Sequence, residues 1–262
     1  MTVTLDFPEL FGWESIPAAA IFAVLYSPLF VVFLYKIIHE RQRVLFTMTL
    51  FCLIRVAAFT LRAISIGVTS VGEDEGVFIA TEVLFSVGFF GLLYSAYTLV
   101  LDRLELCDDN HPTSTIGDIL HFARNRRLFR LALVVAMILG IVGIDMTSSN
   151  PTNSTGITLR KASAVVFLIL TIVQVLQTTK TLEKPHVSLF FGVMALLLLV
   201  REVFTVATIN DLSKANDEDL WYPLVALPEW LCAVIYTIPG LIPPKVDNPP
   251  DLPLYTQGYY QT

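Results

Sequence analysis

The sequence predicts an all-α fold: a polytopic membrane protein built as a seven-transmembrane-helix bundle, with the N-terminus outside and the C-terminus cytosolic. Hydrophobic residues make up 55% of the 262 residues and charged residues 15%, against roughly 25% charged in soluble domains. Seven apolar runs come close to or exceed the about 20 residues that a helix needs to cross a bilayer. Lys and Arg gather in alternate connections between these runs, which is the positive-inside bias that sets orientation.

The first run, 16–37, follows a segment carrying Asp6, Glu9 and Glu14. No basic stretch precedes it and it is too long for the apolar part of a signal peptide, so it reads as a retained anchor. Lys36, Arg41 and Arg43 lie between it and the second run, 44–68. A short acidic connection with Glu73, Asp74 and Glu75 leads to the third run, 77–101, and makes runs two and three neighbours. Arg103, Arg124, Arg126 and Arg127 precede the fourth run, 128–148, and Arg130 lies at its start. There Ile116, Ile119, Leu120, Phe122 and Phe129 alternate with arginines, the pattern of an amphipathic helix on the inner leaflet or of a positive-inside stop. The fifth run, 162–179, is the shortest and needs Leu159 or Thr181 to complete a span. Lys180 and Lys184 precede the sixth, 187–209, and an acidic connection with Asp211, Asp217, Glu218 and Asp219 leads to the seventh, 220–242. With Lys245, eleven basic residues fall on the cytosolic side; three, Arg160, Lys161 and Lys214, fall on the other. Asn153-Ser154-Thr155, an N-glycosylation acceptor between runs four and five, lies on the side the charges assign to the exterior. The chain thus divides into an extracytoplasmic segment 1–15, a membrane domain 16–242 and a disordered, proline-rich cytosolic tail 243–262.

Seven ionisable residues lie within or at the edges of the apolar runs: Arg55, Arg62, Glu82, Asp145, Arg201, Glu202 and Glu229. Hydrocarbon tolerates such groups when they pair or line a cavity. Arg55 and Arg62 are seven apart and share one face of run two. At about 1.5 Å of rise per residue, Glu82 matches Arg62 in depth and Glu229 matches Arg201. Two ion pairs follow as expectations, Arg62 with Glu82 and Arg201 with Glu229. The charges converge on a polar chamber near the outer surface, above a mostly apolar cytosolic half. They serve there as a ligand pocket or as ion pairs locking helices together. Pro223, Pro228 and Pro239 free backbone carbonyls in run seven and bend it near Glu229.

Several chemistries are excluded by what the chain lacks. A net charge of −6 offers no basic stripe for nucleic acid. Cys52, Cys107 and Cys232 are too scattered for a disulfide framework or a thiolate zinc site. No lysine lies inside a run to carry retinal, and His39, His111, His121 and His186 fall beside cytosolic connections, away from where a membrane zinc hydrolase would need them. No cofactor, metal or catalytic residue is expected. An intramembrane enzyme such as a terpene cyclase, using Glu82, Asp145, Glu202 or Glu229 as the acid, stays as an alternative.

Val200-Arg201-Glu202-Val203-Phe204, the acidic connection after it, Glu218 to Tyr222 and the closing Gly240-Leu241-Ile242-Pro243-Pro244 resemble the end of fungal seven-helix membrane proteins of the lipid-translocating exporter family and its uncharacterised relatives. Ile54-Arg55 and Leu61-Arg62 fit the same style. The resemblance implies movement of a lipid across the membrane. Asp102-Arg103-Leu104 resembles the acid-arginine switch of rhodopsin-like receptors and implies a receptor-like sensor as the second reading.

In the tail, Leu252-Pro253-Leu254-Tyr255 has the form of a WW-domain ligand, Leu252, Pro253 and Tyr255 being the recognised residues. Its expected partner is a WW-domain ubiquitin ligase. The leading expectation is a plasma-membrane or endomembrane protein, partnered by the lipid bilayer, that binds or translocates a small amphipathic or lipid-like ligand.

Overall fold

The computed structural model describes residues 8, 12–40, 42–107, 125–149, 153–178, 185–209, 214 and 217–242. The WW-ligand residues Leu252, Pro253 and Tyr255, and the stretch 114–124 of the expected surface helix, lie outside the described residues. Every regular element among those described is helical: α1 Ile16–Glu40, α2 Arg43–Gly67, α3 Glu75–Cys107, α4 Arg126–Ser149, α5 Ser154–Thr178 and α6 Pro185–Thr208, with a single helical turn Thr69–Gly72 between α2 and α3. A last helical segment, α7, runs over 218–235 as an α-helical turn Glu218–Trp221, a π-helical stretch Tyr222–Ala226 and an α-helix Leu227–Ile235.

Six of these helices, α1 to α6, are long and apolar enough to cross a membrane. Their outward faces are built for lipid. Leu131, Val135, Ile138 and Val142 on α4 are exposed, as are Val165, Ile169, Ile172 and Leu176 on α5 and Leu189, Val193, Leu196, Val200 and Val203 on α6. Steps of four and three residues place each set on one stripe of its helix, so the exposed stripe is the apolar one. A helix in water turns such a stripe inward.

The seventh expected span, 220–242, differs from one continuous helix. Prolines 223 and 228 have no N–H for an α-helical bond, and the backbone answers with a π-helical register in which Leu227 N–H reaches Tyr222 O. The α-helix ends at Ile235, and the chain turns through Pro239 and Gly240, whose φ of 80° is the left-handed region that glycine adopts freely. The fifth span also differs: α5 begins at Ser154 and not near 162, so Arg160 and Lys161 lie inside the helix.

Sequential helices pack side by side, α7 closes against α1 and α6, and α3 touches α2, α4, α5, α6 and α7. At one end of the bundle lie the N-termini of α1, α3, α5 and α7. Ser15 Oγ accepts Ala18 N–H, Asp74 Oδ1 accepts Gly76 N–H, Asn153 Oδ1 accepts Thr155 N–H and Asp217 Oδ1 accepts Asp219 N–H, each satisfying donors that a first helical turn leaves free. Glu73, Asp74, Glu75, Asp217, Glu218 and Asp219 gather at this acidic end, where helix dipoles favour negative charge. Lys36, Arg43, Arg103, Arg126, Arg127 and Arg130 mark the opposite, basic end.

Candidate functional site

Glycines let the charged side chains enter the bundle. A Cβ on Gly88 of α3 would stand 3.2 Å from Arg55 Cζ, so its absence is what makes room for the Arg55 guanidinium. A Cβ on Gly143 of α4 would meet Arg160 N at 2.9 Å and Gly156 O at 3.0 Å, and one on Gly140 would meet Ser163 Oγ at 2.9 Å. These small residues allow α4 and α5 to touch backbone to backbone. Ser163 Oγ seals the contact by donating to Ala136 O at 2.7 Å.

Four charged side chains from three helices then form one network. Arg55 on α2 contacts Glu229 on α7 through Nη2 and Oε2. The other Glu229 oxygen, Oε1, accepts from Arg201 Nε on α6 at 3.2 Å, and Arg201 Nη1 also contacts its neighbour Glu202. The Arg201 guanidinium lies over the Phe89 ring, 3.6 Å from its centroid, while Phe51 and Phe85 flank Arg55 at 5.4 and 5.1 Å. Arg55, Glu202 and Glu229 are all buried. The expected Arg201 and Glu229 contact is thus present, with Arg55 as a third member.

The expected Arg62 and Glu82 pair is not. Arg62 Nη2 binds Glu218 Oε1 at 2.9 Å, and Glu218 Oε2 accepts the Ser15 N–H at 2.7 Å. Trp13, Trp221 and Tyr222 surround the Arg62 guanidinium at 4.7, 4.4 and 5.3 Å. The reason is geometric: Glu218 opens α7 directly above Arg62, and the aromatic enclosure fixes the guanidinium towards it. One acidic side chain therefore ties the segment before α1 to α2 and α7.

Glu82 lies elsewhere, on the wall of a cavity of about 180 Å³ that all helices except α1 line. Arg55, Arg62, Arg160 and Arg201 face it together with Glu82, Glu202 and Glu229. Aromatic walls come from Phe85, Phe89, Phe167 and Trp221. Its lining lies in the half of the bundle nearest the acidic end, where the expected chamber was placed. Four polar atoms of lining residues are buried without a hydrogen-bond partner: Arg55 Nε, Arg55 Nη1, Arg62 Nε and Glu202 Oε2. Buried donors and acceptors of this kind are normally met by water or ligand.

Sequence reasoning missed Trp13, Arg160, Glu218 and Trp221 as members of the site. Asn153 was the available signal for Arg160, because read as a helix cap it starts α5 early enough to put Arg160 inside. Asp145, the remaining intramembrane acid, is exposed on the outside of α4. The described buried positions of the basic half are mostly apolar, with Ser95, Gln174 and Gln177 among the polar exceptions. Among the described residues no group of three His, Cys, Asp or Glu side chains is placed to hold a metal ion.

The chain belongs to the family described as Domain of unknown function (DUF7702), which matches residues 18–241 and so takes in α1 to α7 and the whole cavity. No curated protein and no solved structure matches it.

Proposed function

We propose that this member of the DUF7702 family is a seven-span membrane protein, N-terminus outside, that binds or translocates a small amphipathic or lipid-like molecule through the cavity at its acidic end. The carrying observation is that cavity: guanidinium and carboxylate groups line it beside aromatic rings, within helices whose outer faces are apolar. Such a mixture suits a molecule with a polar head and an apolar body. The likeness of 200–204 and of the chain's end to lipid-translocating exporters supports the same cargo class. In this reading α7 crosses as the seventh span, and the basic end faces the cytosol of a plasma membrane or endomembrane.

Reconstitution in proteoliposomes tests it. A fluorescent phospholipid in one leaflet is expected to become accessible to a leaflet-restricted quencher faster with the protein than without. Equal rates, together with no lipid bound to the purified chain, would overturn the proposal. Orientation has its own test: the wild type is expected to lose mass on endoglycosidase treatment and the Asn153→Gln variant is not, since Asn153 then faces the glycosylating compartment.

A second reading, a receptor-like sensor, is favoured by one contact. Arg103 Nη2 donates to the carbonyls of Gly240 and Leu241, joining α3 to the turn after α7 on the side opposite the cavity. A sensor would couple occupancy of the cavity to this contact and recruit a cytosolic partner, such as a WW-domain ubiquitin ligase on the tail. Arg103→Ala would then alter partner recruitment while leaving lipid movement unchanged.

A further inference from the structure

Most charges on the cavity wall are matched. Arg55 and Arg201 share Glu229, Arg201 also holds Glu202, and Arg62 is bound by Glu218. Glu82 on α3 and Arg160 on α5 differ from the rest. Both line the cavity, yet among the described residues neither makes a hydrogen bond or an ion pair with the other or with any other group. An acid and a base held apart in this way leave a gap that demands a donor at one side and an acceptor at the other.

The occupant's charge follows from this balance. Four arginines line the cavity against three glutamates, and Glu218 on Arg62 brings the acids to four. A simple anion on Arg160 would leave Glu82 uncompensated, and a simple cation on Glu82 would leave Arg160 so. Of the aromatic walls, Trp221, Phe89 and Phe85 already carry the guanidinium groups of Arg62, Arg201 and Arg55. A cavity of about 180 Å³ is also below the 300–1,000 Å³ of pockets for drug-sized ligands. It admits a head group and leaves acyl chains outside.

We propose that the cavity takes a zwitterionic head group, its ammonium against Glu82 and its phosphate or carboxylate against Arg160. This rests on the ligand-pocket reading above and narrows it to one charge class. A zwitterion satisfies both side chains and adds no net charge to the membrane interior, whereas either ion alone strands one of them. Gly143 is part of the arrangement, because its missing side chain lets Arg160 lie across α4 and reach the wall.

The test is tryptophan fluorescence of the full chain in maltoside detergent, with Trp221 on the cavity wall as reporter. Three probes are titrated: dihexanoyl phosphatidylcholine below its micelle concentration, the matching phosphatidic acid, and phosphocholine. The zwitterionic lipid is expected to bind at least about tenfold more tightly than phosphatidic acid, and Glu82→Gln and Arg160→Gln are each expected to remove most of that preference, since each takes away one charge-assisted hydrogen bond. Phosphocholine binding as well as the lipid assigns a soluble zwitterion as the natural source, and lipid binding alone assigns a membrane lipid. Phosphatidic acid binding as tightly as phosphatidylcholine to the wild type would overturn the proposal, needs no variant to fold, and leaves the pocket itself standing. Silence with all three probes would instead remove the pocket reading on which the proposal rests.

Discussion

The two ends of this bundle use charge in opposite ways. At the acidic end, side chains of both signs point inward from separate helices and meet around a cavity. At the basic end they stay at the rim and finish helix ends: Lys36 Nζ donates to Thr237 O at 2.8 Å, Arg103 to Gly240 and Leu241, and Arg130 to the Tyr94 hydroxyl. Between the rim contacts the packing is by rings, such as Tyr97 stacked on Phe129 with centroids 3.5 Å apart. Inward charge and empty volume therefore coincide in the acidic half. Arg55 Nε, Arg55 Nη1, Arg62 Nε and Glu202 Oε2 are left unmet beside this cavity.

The largest difference between the halves should come from the shared carboxylate. Glu229→Gln leaves the buried Arg55 without its counter-charge and Arg201 with Glu202 alone, and losing one partner of a buried pair costs about 3–5 kcal/mol. The expected outcome is a sharply reduced yield of folded protein and a lower Tm in detergent; an unchanged Tm would break the view that the network holds the acidic half together. Next, Gly143→Leu forces a side chain against the backbone of α5 and is expected to cost about 1–3 kcal/mol and to displace Arg160. Gly192→Ala on α6, where an added Cβ meets nothing within 4 Å, serves as the contrast and should hold or raise Tm.

Charge removal at the basic end should matter less. Arg103→Ala frees two carbonyls in the turn that follows α7 and is expected to cost about 1.5 kcal/mol, read as faster hydrogen exchange over residues 236–241 with no change in ligand binding. Smallest of all, Arg126→Ala removes a contact to Asp102 in which the side chains are 38% and 31% exposed. It should shift stability by under about 1 kcal/mol, and salt should shrink the effect further. A loss at Arg126 as large as at Glu229 would erase the contrast between the ends.

The same contrast explains what could be read from the sequence. Six spans were legible because composition and length alone mark an apolar helix, and charges inside them were legible because hydrocarbon makes them exceptional. Arg201 with Glu229 was within reach for that reason. Partners that sit at helix starts were not: Glu218, Trp13 and Ser15 read as connection residues, so Arg62 was assigned to Glu82. Arg160 was hidden by placing the start of α5 eight residues late, past its Asn153 cap. The cavity depends on side chains that are missing, at Gly88, Gly140 and Gly143, and nothing in a linear pattern tells such glycines from those tolerated elsewhere. The π-helical register of α7 was foreshadowed by Pro223 and Pro228, but its form depends on how neighbours take up the freed carbonyls.

Native mass spectrometry of the full chain extracted from its membrane asks most directly whether the acidic half holds a ligand. The wild type is expected to retain a molecule of lipid mass, and Arg160→Gln with Glu82→Gln to release it at the same collision energy. A bare wild-type chain, or equal retention by the double variant, would contradict the account.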